Sequence, residues 1–339
     1  MSKLNTTINS IAFSTEVDSI IISRESDEQS VDLLMTVDGI SVLDARLDYP
    51  SGGSILIDGL ALLINRYLNG LSRLQISLDG TVVSDTDILP DSTDKGICAA
   101  VYVQTHYLNS SSSIKQTSIH SPEYLYYYSA IEKTSTLQID VYYSKDGIIL
   151  KKTVTTSINL SKGINKIDVS SYNYVNDVNG SISSIIVSLD EIEISYQVIF
   201  SDKKPTIILF KNRYKQLESI TLFGLVERDF SPTIKTATIG GTRINYDSEG
   251  RPVYKVSTGR LASDNHNLIQ DFVSGERCWL YGGSYRIEMV VTEVEMKSND
   301  DNYSGTSYTV KFTPANALSK RELTYQDGIF DNTFDTTFN

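Results

Sequence analysis

Apolar and polar residues alternate with a period of two through most of this 339-residue sequence, and that pattern restricts the chain to antiparallel sheet with one face in water. In TLQIDVYYS, Leu137, Ile139, Val141 and Tyr143 fall on one face and Gln138, Asp140 and Tyr142 on the other. The run LDEIEISYQVIF sets Ile192, Ile194, Tyr196, Val198 and Phe200 opposite Glu191, Glu193, Ser195 and Gln197. SIIIS, LLMTV, ILID, LQISLDGTVV, ICAAVYVQTHYL, TIILF, SITLFG, YRIEMVV and SYTVKF read the same way. Turn signals such as VDG, LDG, KDG and DSEG separate the runs, which is hairpin punctuation.

Two segments follow helical spacing instead. DGLALLINRYLNG carries Leu60, Leu63, Ile64, Tyr67 and Leu68 on one stripe, with Asp58 as N-cap and Gly70 as stop. SDNHNLIQDFVSG carries Leu268, Ile269, Phe272 and Val273, with Ser263 as N-cap and Gly275 as stop; both patterns obey the usual capping preferences. The expected fold is all-β, with two or three antiparallel β-sandwich domains, Ig-like or jelly-roll-like, and two short helices. Polar, turn-rich stretches at residues 88–96 and 226–233 divide the chain into an N-terminal β domain (1–90) with one helix, a Tyr-rich sandwich (91–226), a C-terminal β domain (227–325) with the other helix, and an aromatic arm (326–339). The Ser-rich run at 109–118 reads as an exposed loop.

Composition narrows the function. A net charge of -12 repels duplex DNA and anionic membrane unless a basic patch overrides it, and the sequence contains none. MSKLNTTINSIAF lacks the pattern of an export signal, so synthesis in the cytoplasm is expected, with Cys98 and Cys278 as buried free thiols in strand-like contexts. On that expectation, sequons such as Asn159-Leu160-Ser161 carry no weight.

Chemistry is sparse. His106 (in a strand), His120 (in a loop) and His266 (in a helix) have no metal-binding spacing. Glu191 and Glu193 on one strand face stand about 6–7 Å apart, which a glycosidase could use; a solvated, edge-protecting face accounts for them better. Asp300, Asp301 and Asn302 could offer oxygens to calcium but lack a calcium-loop pattern and read as a hairpin tip. The glycine pairs are turns, not phosphate cradles. No catalytic residue, metal or cofactor is expected, and the chain does not read as an enzyme.

What remains is aromatic surface. Tyr124, Tyr126 and Tyr128 share one face of HSPEYLYYYSAIE. They form either a sandwich wall or a contact surface, since Tyr contributes large area at small entropy cost. In GIFDNTFDTTFN, Phe330, Phe334 and Phe338 recur every fourth residue among Asp, Asn and Thr, so they make one stripe in an extended arm or a helix.

TIILFKNRYKQLESITLFG (206–224) resembles a recurrent Phe-x-Asn … Phe-x-Gly segment of structural proteins from phages and prophages of the Bacteroidetes, and IFDNTFDTTFN is similar to the Phe/Asp/Thr-rich tails of that set. Where relatives carry a glycine turn after the asparagine, this chain has Arg213-Tyr214-Lys215-Gln216. The resemblance implies a tail or baseplate module, such as the stacked sandwich rings of short-tailed crAss-like phages, made in the host bacterial cytoplasm and residing in the virion tail. It also implies other copies of the chain and adjacent tail or portal-proximal proteins as partners, no membrane, no specific nucleic-acid binding, and passage of DNA through a lumen. Phe330, Phe334, Phe338, Tyr124, Tyr126 and Tyr128 are the expected subunit interface. The arm has a competing reading, in which it folds back on its own third domain. The alternative function is a carbohydrate- or receptor-binding fibre module, with Tyr-rich faces stacking on sugars.

Overall fold

In a computed structural model, residues 2–25, 29–51, 53–90, 96–111, 113–201, 204–230, 233–239, 242–259, 265–275, 277–284, 286–297 and 307–315 are described. The fold is all-β, built from several mostly antiparallel sheets with short helices. The chain forms two compact units, one of residues 1–199 and 211–218, the other of 200–210 and 219–339.

In the first unit, residues up to Leu89 make two sheets. A five-stranded sheet runs in the order Ile11–Phe13, Thr81–Leu89, Ser72–Leu78, Ser30–Val37, Ile40–Asp48, and a three-stranded sheet in the order Ser2–Leu4, Ile20–Arg24, Ser54–Ile57. Their inner faces meet in a core of Val31, Leu33, Met35, Leu74 and Ile76 with Ile20 and Ile22, closed by Leu60 and Ile64 of the helix Leu60–Asn65. That helix is capped otherwise than expected. Gly59, at φ 80°, takes the N-cap position instead of Asp58, and the carboxylate of Asp18, far back in the chain, accepts the N–H of Ala61 at 3.0 Å.

A second five-stranded sheet follows in the order Ile148–Leu160, Lys133–Lys145, Ser181–Leu189, Ile192–Val198, Ile114–Thr117, together with the pair Tyr124–Ser129 and Gly163–Asp168. Leu137, Ile139, Val141, Ile185, Val187, Ile194 and Tyr196 fill its core, as the alternation requires.

Three hairpins in this unit turn on Asp-Gly: Asp38-Gly39, Asp79-Gly80 and Asp146-Gly147, all at positive φ, the two-residue turn whose twist matches the strands. A fourth turns on Asp190-Glu191, at φ 47° and 70°, and joins Leu189 to Ile192. Glu191 therefore lies in the turn rather than on a strand. The alternation concealed this because a two-residue turn keeps parity and no glycine marks the spot.

Two further expectations are corrected. ICAAVYVQTHYL is not a strand: Ala99–Thr105 is a helix that buries Ala99, Tyr102 and Val103 at helical spacing. Two alanines favour the helix, and Glu16, from elsewhere in the chain, accepts the N–H of Ala99 at 2.6 Å. Cys98 is its N-cap residue and His106 its C-cap. The Ser-rich run is not an exposed loop either. Asn109, Ser110, Ser111, Lys115, Thr117 and Ser118 are buried, and Ile114–Thr117 is the parallel edge strand beside Ser195–Val198.

In the second unit, a seven-stranded sheet runs in the order Leu217–Leu222, Thr206–Lys211, Cys278–Tyr281, Arg286–Lys297, Ser307–Pro314, Val253–Ser257, Val226–Asp229. The helix His266–Ser274 lays Leu268, Ile269 and Phe272 on the core of Ile208, Phe210, Ile220, Val310 and Phe312. Its N-cap is Asn265; Ser263 lies outside the described residues.

The glycine of the Phe-x-Gly segment, Gly224, has a packing reason. Its N–H donates to the Ser257 carbonyl at 2.9 Å, and a Cβ there would come within 2.5 Å of that oxygen. Gly224→Ala is expected to cost about 1–3 kcal/mol, read from chemical denaturation; an unchanged midpoint would show that the backbone yields freely.

Candidate functional site

The acidic pair that most resembled a catalytic couple does not exist as one, because Glu191 is a turn residue and Glu193 an exposed strand residue. His120 is exposed, and His106 stacks on Tyr102 with ring centroids 4.5 Å apart. Cys98 and Cys278 are free, and burial pushes the Cys278 thiol up to about 11, which keeps it un-ionised and inert at neutral pH. Asp300, Asp301 and Asn302 lie outside the described residues, as does the arm with Phe330, Phe334 and Phe338. Among the described residues no cluster of His, Cys, Asp and Glu has the makings of a metal site, and no helix is long and apolar enough to cross a membrane.

The structure separates the three tyrosines. Tyr126 and Tyr128 are buried, with Tyr124 half-buried at the margin, in a cluster with Phe13, Leu89, Tyr102, Val103 and Tyr214. The Tyr126 hydroxyl donates to the Leu217 carbonyl at 2.6 Å, and burial raises its pKa; burial likewise lifts that of Tyr128 to about 12. The cluster packs the 1–89 sheets, the helix Ala99–Thr105 and the strand Tyr124–Ser129 together within the first unit. Of the three, only Tyr124 keeps part of its ring outside, with the Lys166 Nζ 3.6 Å from its centroid.

Beside this cluster lies a polar network that the sequence did not reveal. Lys115, buried to about 1% exposure, sits between two carboxylates equally buried, with Nζ 2.7 Å from Glu123 and 3.4 Å from Glu218. Burial alone would lower the lysine pKa, but the two carboxylates outweigh it and hold the ammonium above its ordinary value. Glu218 also accepts from the N–H and hydroxyl of Ser110 and from the Asn212 amide, and Glu123 from the Thr117 hydroxyl at 2.5 Å. Asn212 organises the departing Arg213–Gln216 turn. Its side-chain oxygen accepts from the N–H groups of Tyr214 and Gln216, each at 3.0 Å, and Lys215 takes the left-handed conformation at φ 59°. Asn212 and Lys215 thus shape this turn without glycine. The network ties the segments of Lys115, Glu123 and Glu218 together in the interior of the first unit.

The first unit also carries the long hairpin Lys133–Lys145/Ile148–Leu160, paired over thirteen residues. Its outer strand ends the sheet. Ile148 and Ile149 stand 63% and 70% exposed at its tip, where no core claims them. Near the start of its inner neighbour, Asp190 of the Asp190-Glu191 turn accepts from Lys133, Tyr127 and Ser135 at 2.6, 2.9 and 3.1 Å. Partial burial works against the Asp190 carboxylate, and these donors overcome it to hold its pKa below the usual range.

No protein-family model matches the chain, and no curated protein matches it by sequence. By structure, it is similar to a chain in the virion of a native gene transfer agent particle, at 17% identity and TM-score 0.26 over 36% of this chain and 98% of that one. It is similar also to a chain in the tail of an empty gene transfer agent particle with C6 symmetry, at 16% identity and TM-score 0.25 over 34% and 93%. A 1.5-MDa bacterial ice-binding adhesin follows, at 8% identity and TM-score 0.17 over 76% and 92%. Likenesses at these TM-scores assign no common fold.

Proposed function

We propose that this chain is a structural protein of a phage-type tail that assembles into a multi-subunit ring or baseplate-like layer, with residues 326–339 docking on a neighbouring copy. The observation that carries the reading is a long sheet edge with which no strand pairs among the described residues, with exposed aliphatic side chains at its tip. Such an edge is a liability in a free monomer and an asset in an assembly. The resemblance of 206–224 and of the last residues to phage structural segments points the same way. Cyclic symmetry gives every copy the same donor and acceptor surfaces. A net charge of -12 suits a lumen through which DNA passes without sticking. The carbohydrate-binding alternative loses its main support, because Tyr126 and Tyr128 are buried and cannot stack on a sugar.

Deleting residues 326–339 tests the reading. The shortened chain is expected to keep its melting temperature as a single copy and to lose assembly. A large fall in melting temperature would instead make the segment part of its own core.

A further inference from the structure

Resting on that assembly reading, we propose that the outer edge of Ile148–Leu160 is the acceptor for residues 326–339 of a second copy, which add to it as a further strand. The strand is hydrogen-bonded along one side, to Lys133–Lys145, and among the described residues no strand pairs with its other side. Thirteen residues of edge and fourteen of segment both span about 45 Å at about 3.3 Å per residue.

Spacing matches face to face. Leu150, Val154 and Ile158 lie on the core side of the edge strand, since their neighbours across the ladder are Tyr143, Ile139 and Ser135, and they recur every fourth residue. Phe330, Phe334 and Phe338 recur at the same interval. Because an added strand shares the parity of its neighbour, one register seats each ring beside one aliphatic side chain, whether the strands run parallel or antiparallel. The other face of the segment then presents Asp327, Asp331 and Asp335. In the parallel register Asp331 stands opposite Lys151; in the antiparallel one Asp335 is its diagonal neighbour.

Charge discriminates among edges. Ile148–Leu160 holds Lys151 and Lys152 and no acidic residue, whereas residues 326–339 hold three Asp and no base. Lys151, on the face where the segment presents its Asp residues, already meets Asp140 at 2.9 Å, yet its side chain remains 46% exposed and can take a second carboxylate. Two other edges repel the segment: Ile40–Asp48 carries Asp44 and Asp48 against Arg46, and Val226–Asp229 carries Glu227 and Asp229 against Arg228; the edge Ser2–Leu4, which carries Lys3 and no acid, is only three residues long.

The test places p-benzoylphenylalanine at position 334 of the full chain, mixes isotopically light and heavy copies, and maps photocrosslinks by mass spectrometry. Crosslinks between light and heavy chains within residues 148–160 are expected. Crosslinks elsewhere, within one chain only, or none at all overturn the proposal. In parallel, Lys151→Glu should raise the concentration needed for assembly several-fold, and adding Asp331→Lys with Asp335→Lys should restore it; reversal without rescue counts against the edge. A chain that still assembles but crosslinks elsewhere sinks the acceptor and leaves the assembly reading standing, whereas a chain that never assembles sinks both.

Discussion

Lys115→Ala is expected to remove about 3–5 kcal/mol of folding stability, enough to lower the melting temperature by roughly 10 °C. The ammonium lies between the carboxylates of Glu123 and Glu218, both about 1% exposed. Taking it away leaves two buried carboxylates without this counter-charge, and a buried charge that loses its ion pair is among the most costly defects a core can carry. Lys115→Met separates charge from packing, because methionine keeps most of the aliphatic stem. A loss close to that of alanine is expected. A methionine variant near wild-type stability would mean that the stem, not the ion pair, matters.

Tyr126→Ala is expected to cost about 3–5 kcal/mol in the isolated chain, as other large-to-small changes at aromatic core positions do. The ring is 3% exposed and packs in the cluster with Phe13, Tyr102 and Tyr214, so its removal opens a cavity where sheet and helix meet. Tyr126→Phe keeps the ring but leaves the Leu217 carbonyl without its 2.6 Å donor, a smaller loss of about 1–2 kcal/mol. Denaturation midpoints independent of protein concentration would place both effects in the monomer. If Tyr126→Ala left the monomer unchanged and altered only assembly, the buried cluster would be misassigned.

The strands were legible wherever local chemistry and alternation agreed. At Asp38-Gly39, Asp79-Gly80 and Asp146-Gly147, each turn needs two residues at positive φ and the sequence supplies residues that tolerate it. Legibility failed where the deciding partner is distant in sequence. The helix Ala99–Thr105 is capped by Glu16, 83 residues away. Ser110 is buried because Glu218, 108 residues away, accepts from it. A serine-rich run reads as solvent-exposed when its hydroxyls have no visible local partner; here Glu218, from a later segment, accepts from Ser110, and Ser118 pairs with Ser121. The tyrosine face was found correctly as a face, but periodicity cannot say whether it meets water, a neighbour, or the chain's own helix. The hairpin at Asp190-Glu191, which has no glycine, hid because its turn residues continue the polar beat of the flanking strands.

Imaging purified full-length chains, together with their mass in solution across a range of concentration, bears most directly on whether this molecule is built to associate. Closed rings of identical subunits are the expected result. Single copies at every concentration, with residues 326–339 protected from hydrogen exchange inside their own unit, would contradict it.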